Sequence, residues 1–231
     1  MADINNTGTL LAYAALGGIL PALLWLWFWL QEDKLHPEPR SRIMLAFLGG
    51  MVAVALVYFP EKAISAYTNN QNVVLFVWAL LEEAAKLFMA WLFALRTRDY
   101  DEPIDALEYL ITVALGFAAL ENTLFILNPL LDGNALQGLV VGNMRFVGAS
   151  LLHVVSSAML GYCIAREFYR SRLAKNIWRT IGLSLAVALH TIFNLFIIYD
   201  NGSKTFFVFG CLWAAALGVL LLFEKTKKVI S

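Results

Sequence analysis

Residues 73–95 read VVLFVWALLEEAAKLFMAWLFAL, an apolar run that carries Glu82, Glu83 and Lys86 near its middle. A bilayer-spanning helix needs about 20 mostly apolar residues, because each backbone N–H and C=O must be satisfied inside the segment. The run meets that length. Ionisable side chains at the middle of a span cost about 2.5–3.5 kcal/mol each on insertion scales, so such residues face other helices and mark a functional site by default. One stretch therefore points both to a helical membrane fold and to a site inside it.

Six more runs of the same character occupy 9–30, 43–59, 106–127, 144–165, 181–199 and 205–223, with 43–59 the shortest. The expected fold is all-α, a polytopic bundle of about seven transmembrane helices. The connecting segments are too short to fold alone, so one membrane domain is expected over 1–231, with a motif-bearing core at 73–199. The first run is too long for the apolar region of a signal peptide. Residues 1–8 include Asp3 but no Lys or Arg, so this run is expected to stay attached.

Composition agrees. Of 231 residues, 60% are hydrophobic and 15% charged, with a mean hydropathy of +0.69. Soluble chains carry about 45–50% apolar and about 25% charged residues, so a soluble globular domain is excluded and the lipid bilayer is the expected partner. Seventeen basic and seventeen acidic side chains with no long basic block exclude a nucleic-acid partner. Cys163 and Cys211 lie in apolar runs, where a small buried hydrophobe is the expected role.

Lys and Arg fall on alternate loops. Lys34, Arg40, Arg42, Arg96, Arg98, Arg166, Arg170, Arg172, Lys175, Arg179, Lys225, Lys227 and Lys228 share one side, against Lys62 and Lys204 on the other. The positive-inside bias puts the N-terminus outside and the C-terminus in the cytoplasm. Asn128-Pro129 is expected to end the fourth span, and Asp132-Gly133-Asn134 to turn the chain.

Four spans contribute polar groups. Besides Glu82, Glu83 and Lys86 there are Phe117 with Glu121-Asn122, then His153, then His190 with Asn194. Glu82 is ten residues after Asn72, Glu121 seven before Asn128, His153 ten after Asn143 and His190 ten before Asp200. At 1.5 Å per residue, all four lie roughly 10–15 Å from the outer face, in one layer. Residues three or four apart share a helix face, so Lys86 can pair with either Glu82 or Glu83 and leave the other carboxylate to a cavity. By the same rule His190 sits with Asn194, and Phe117 with Glu121.

These are the parts of a hydrolytic site. A glutamate shielded from water serves as general base, and His or Asn donors stabilise an oxyanion. Glu82, Glu121, His153 and His190 equally supply the donors for a divalent metal such as Zn²⁺. Arg145, Asp105 and Glu108 lie near expected helix ends, where snorkelling explains them without chemistry. Ser156, Ser157 and Gly161 are expected to permit close helix packing, and Trp25, Trp27, Trp29, Trp91 and Trp213 to sit at helix ends or on lipid faces.

Other intramembrane protease signatures fail. There is no His-Glu-x-x-His, and the Asp132-Gly133 that imitates the second motif of such zinc enzymes falls in an expected loop. No Gly-x-Gly-Asp occurs, and Gly148-Ala149-Ser150 lacks the following Gly of a rhomboid nucleophile. The seventh span has no Lys for a retinal Schiff base.

The combination Glu82-Glu83-x-x-Lys86, Phe117-x-x-x-Glu121-Asn122, His153 and His190-x-x-x-Asn194 resembles the PrsW family of intramembrane proteases, within the wider group that contains the CAAX prenyl endopeptidases. CAAX-type enzymes have His where this chain has Glu121-Asn122, which favours the PrsW branch. The resemblance covers the third to sixth spans. It implies an endopeptidase in a prokaryotic plasma membrane that cuts a single-pass, anti-sigma-factor-like protein at its extracytoplasmic side. It also implies that Glu82 or Glu83 activates water with His153 or Glu121, while His190 and Asn194 hold the oxyanion. The competing readings are a proton- or ion-coupled transporter that uses the same Glu and His layer, and an inactive scaffold.

Overall fold

The computed structural model describes residues 4–34, 36–199 and 204–228. Among these there is no strand. The helices are α1 (Ile4–Trp29), α2 (Arg40–Tyr67), α3 (Gln71–Ala90), α4 (Asp105–Leu131), α5 (Ala135–Met144), α6 (Ser150–Glu167), α7 (Arg172–Tyr199) and α8 (Thr205–Lys227). Trp91–Leu95 widens into a π-helical turn that extends α3, and Arg145–Ala149 forms another that joins α5 to α6.

Six helical segments are long and apolar enough to cross a membrane: α1, α2, α4, the continuous Ala135–Glu167, α7 and α8. The seventh expected span, α3, fails that count for a physical reason. Every 18-residue window within it contains Glu82, Glu83 and Lys86. Its charges are instead enclosed by protein, with α3 packed on α2, α4 and α7.

The centre of the bundle is α4. Apolar on all sides, it is also covered on all sides, as such a helix must be: every residue from 103 to 119 is buried. Helices α1, α2 and α6 pack around it, α7 lies on α6 and α3, and α8 lies on α6. The crossing of α2 and α4 is closest where two glycines meet the opposing backbone. A Cβ at Gly116 would stand 1.9 Å from the Phe47 carbonyl oxygen, and one at Gly50 would stand 2.0 Å from that of Val113. Small residues are what allow helices in lipid to approach this far. Outward-facing Leu24, Trp27, Phe59, Leu139 and Leu221 are exposed, as a lipid-facing surface requires.

Several boundaries differ from expectation. Helix α2 runs through Pro60 to Tyr67 and is 28 residues long, so it is not the shortest. Proline removes a single backbone donor, which need not end a helix held by its neighbours. For the same reason α4 continues past Pro129 before Gly133, at φ +77°, turns the chain. Asn143, the expected outer boundary for His153, lies inside continuous helix. Asp200, the boundary used for His190, and Asp3 lie outside the described residues. Trp29 is buried against Phe223 and faces no lipid, and Cys163 is buried while Cys211 is exposed.

Asp105 and Glu108 do not snorkel. Both are buried at the start of α4. Beside them, in the segment between α1 and α2, burial and the neighbouring Glu102 push the Asp33 carboxyl above its usual range, while His36 and Lys227 pull it down.

Candidate active site

Glu82 and Glu83 sit side by side on α3 and point to different surroundings. Glu83 Oε1 accepts from Lys86 Nζ at 2.6 Å, from His190 Nδ1 at 2.8 Å and from Ser156 Oγ at 3.1 Å. Glu83 and Lys86 are completely enclosed. Glu82 instead lines a cavity of about 540 Å³ together with Glu121, Arg145, His153, His190 and Asn194. Its Oε2 is buried without a hydrogen-bond partner and lies 3.8 Å from His190 Nε2.

The partners fix the tautomers. A carboxylate only accepts, so His190 Nδ1 carries the hydrogen given to Glu83, and Nε2 faces Glu82. An ammonium only donates. Lys86 Nζ is 3.0 Å from His153 Nδ1, so the His153 hydrogen sits on Nε2 and goes to Glu121 Oε2, also at 3.0 Å. The two imidazoles meet edge to face with centroids 5.2 Å apart, and the Phe117 ring meets His153 in an edge-type contact at the same separation. Lys86 Nζ lies 4.9 Å from the Phe117 ring centre.

On the α4 side, Arg145 holds Glu121 through a guanidinium–carboxylate contact and donates from Nε to Asn122 Oδ1 at 2.6 Å. Asn122 in turn donates to Ser150 Oγ at 2.9 Å. Arg145 belongs to the π-helical turn, a feature often found at functional sites. In an unbroken α-helical reading it falls at a span end, and that is why its role is hidden in the sequence. Ser156 is likewise a hydrogen-bond donor to Glu83 and more than a packing residue. Glu61, a half-buried residue on α2, is one of the electrostatic neighbours of Glu82. It had no motif to reveal it, and a helix assumed to stop before Pro60 leaves it in a loop.

All six expected catalytic positions, Glu82, Glu83, Glu121, His153, His190 and Asn194, thus converge here, with Lys86, Phe117 and Asn122 packed behind them. Asn194 lines the cavity one turn from His190. The donors also suit a divalent metal. Glu82, His153 and His190 each bring one ligand atom within 4.8 Å of the others, and Glu83 fixes the far nitrogen of His190 as carboxylates fix metal-bound imidazoles. Glu121 stands outside that triad, held by Arg145 and His153.

The family model described as "PrsW family intramembrane metalloprotease" matches residues 38–222. The chain belongs to the PrsW family. It is similar to Protease PrsW of Oceanobacillus iheyensis, 28% identical over 87% of this chain and 91% of the relative. Protease PrsW of Bacillus subtilis is 27% identical over 75% of this chain and 77% of the relative. The protein of the same name from Geobacillus kaustophilus is 32% identical over 48% of this chain and 50% of the relative. No solved structure matches. As a PrsW family member the chain is an intramembrane protease, a peptide hydrolase of multi-pass architecture, and the bacterial relatives agree with a prokaryotic membrane.

Proposed function

We propose that this PrsW family protease cuts a single-pass, anti-sigma-factor-like membrane protein at a peptide bond drawn into the cavity from the outer side, with its N-terminus outside and residues 1–231 acting as one membrane domain. The observation that carries the reading is Glu82, a buried carboxylate with an unpartnered oxygen that opens on the same cavity as two histidines.

Glu82, His153 and His190 would hold a divalent ion, Zn²⁺ by donor type. Such an ion, when bound, supplies a Lewis acid that polarises the scissile carbonyl and makes a water more acidic. To serve as a ligand, His153 has to free its Nε2 hydrogen, since Lys86 occupies the neighbourhood of Nδ1. With Glu82 so engaged, Glu121 is the second carboxylate bordering the cavity and takes the proton of the attacking water. Without a metal, Glu82 itself is the base. In both cases the Asn194 amide and the Arg145 guanidinium border the space where an oxyanion would develop. Glu83 is a positioning residue, holding His190 and Lys86 in place.

The test is cleavage of a panel of single-pass, small-ectodomain membrane proteins by purified enzyme in liposomes, with and without chelator, beside Glu82→Ala and Glu83→Ala. Activity lost on chelation and restored by Zn²⁺ supports the metal-assisted form, and activity indifferent to chelator but lost in Glu82→Ala supports the glutamate-activated water. Full activity in both variants would sink the assignment.

A further inference from the structure

A second group of carboxyls gathers where the segment between α1 and α2 meets the start of α4. Asp105 is sixteen positions from Glu121 on the same helix, so this place is about 24 Å from the catalytic layer along α4. Asp33, Glu102 and Asp105 each bring one carboxylate oxygen within 4.8 Å of the others. Asp105 Oδ2 accepts the backbone N–H groups of Asp101 and Glu102 at 3.0 and 2.8 Å. Glu38 reaches the same Asp105 carboxyl and accepts from the Tyr109 hydroxyl.

Two buried carboxyl oxygens there are unsatisfied. Asp33 is only 6% exposed and its Oδ2 has no hydrogen-bond partner; Glu108, one turn beyond Asp105, is 4% exposed and its Oε2 has none either. The electrostatic neighbours of Glu108 are Asp33, Glu38 and Asp105, all acidic. The basic side chains nearby are used elsewhere or exposed. Arg42 pairs with Asp99 and Lys227 with Glu32 and Glu224, while the side chain of His36, 70% exposed, lies 3.5 Å from Glu102; His36 and Lys227 act on Asp33 as electrostatic neighbours without an ion pair to it. Among the described residues no Lys or Arg is paired with Asp33, Glu38, Asp105 or Glu108. A cavity of about 550 Å³ is bordered by Glu38, Glu108 and the exposed Arg40.

We propose that Asp33, Glu102 and Asp105 bind a hard divalent cation, Mg²⁺ or Ca²⁺, with Glu108 as a further neighbouring carboxyl. A buried carboxyl either stays protonated or needs a compensating charge, and a divalent cation that displaces the protons supplies that charge. An all-oxygen set with no His or Cys among the three ligands selects hard cations over zinc. The ion ties the segment between α1 and α2 to the first turn of α4, adding to the Tyr109–Glu38 hydrogen bond that already joins them.

The experiment is calorimetric titration of the full-length protein, purified in detergent and treated with chelator, with Ca²⁺ and separately with Mg²⁺. Wild type is compared with Glu102→Gln, Asp33→Asn and His190→Ala. The expected result is saturation at one equivalent by at least one ion, weakened about tenfold or more when a carboxylate ligand is removed and unchanged in His190→Ala. The stronger of the two titrations names the ion. Glu102 is partly exposed, so Glu102→Gln keeps the test meaningful if Asp33→Asn fails to fold. Absence of saturation up to about 10 mM of either ion, beyond the weakest calcium modules, would overturn the site. So would binding that survives both carboxyl variants, or binding lost in His190→Ala, which would place the ion in the catalytic layer.

Discussion

Glu82 and Glu83 are consecutive residues with different surroundings: one oxygen of Glu83 takes Lys86, His190 and Ser156 in a fully enclosed site, while Glu82 borders the cavity with its Oε2 unpartnered. Conservative changes at the two should therefore separate activity from stability. Glu82→Gln keeps the shape, removes a base or ligand and takes away only the 3.8 Å approach to His190, so cleavage falls by about 10²-fold or more with little loss of stability. Glu83→Gln strands a buried ammonium, which costs about 3–5 kcal/mol in thermal unfolding. The measurements are proteolysis in liposomes and unfolding in detergent. An active Glu82→Gln, or a Glu83→Gln as stable as wild type, would contradict this division.

The Glu83–Lys86 pair offers a second separation. Removing either partner leaves the other buried and uncompensated, whereas replacing both with apolar residues of similar volume is often neutral. Glu83→Leu combined with Lys86→Met is therefore expected to be more stable than either single variant. It stays inactive, because His190 loses the acceptor that fixes its tautomer. A double-mutant cycle on unfolding with parallel activity assays reads both effects. Recovered cleavage in the double variant would show that Glu83 does not position His190.

Arg145 joins Glu121 to Asn122 through two different guanidinium nitrogens, Nη2 and Nε. Lysine carries the charge but lacks the planar fork. Arg145→Lys is thus expected to retain part of the activity and Arg145→Gln to lose about 10–100-fold, the range seen when a supporting partner of a functional group is removed. Equal, full activity in both variants would return Arg145 to the role of an interfacial cation.

These residues also show where the sequence is readable. Three charges inside an apolar run identify α3 as both membrane helix and site, since lipid penalises them wherever they fall. The rotation of a helix about its axis is not encoded that way. Neighbouring residues point about 100° apart, and packing alone decides that Glu82, rather than Glu83, borders the cavity. Arg145, Asp105 and Glu108 were hidden by their nearness to helix ends, where snorkelling is a sufficient account. Their burial depends on a π-helical turn and on a neighbouring segment that hydropathy does not register. The depth count for His153 rested on Asn143 as a boundary, although the helix passes through it. The site assembles regardless, because ionisable groups in lipid gather wherever they can be paired.

The α2–α4 crossing supplies a test of the frame that carries the site. A Cβ at Gly116 would fall 1.9 Å from the Phe47 carbonyl oxygen, so Gly116→Ala must push two helices apart. The move displaces Phe117 and Glu121 further along α4. Overpacking of this kind costs about 1–3 kcal/mol or more, and cleavage should fall with it. Gly218 on α8 faces open space, with nothing within 4 Å of the point where an added methyl group would stand. Gly218→Ala should be neutral or raise stability by about 0.4–1 kcal/mol through reduced freedom of the unfolded chain. Thermal unfolding in the same detergent compares the two directly. If Gly116→Ala is as stable as Gly218→Ala, then α2 and α4 do not cross at this distance, and the placement of Glu121 against His153 loses its support.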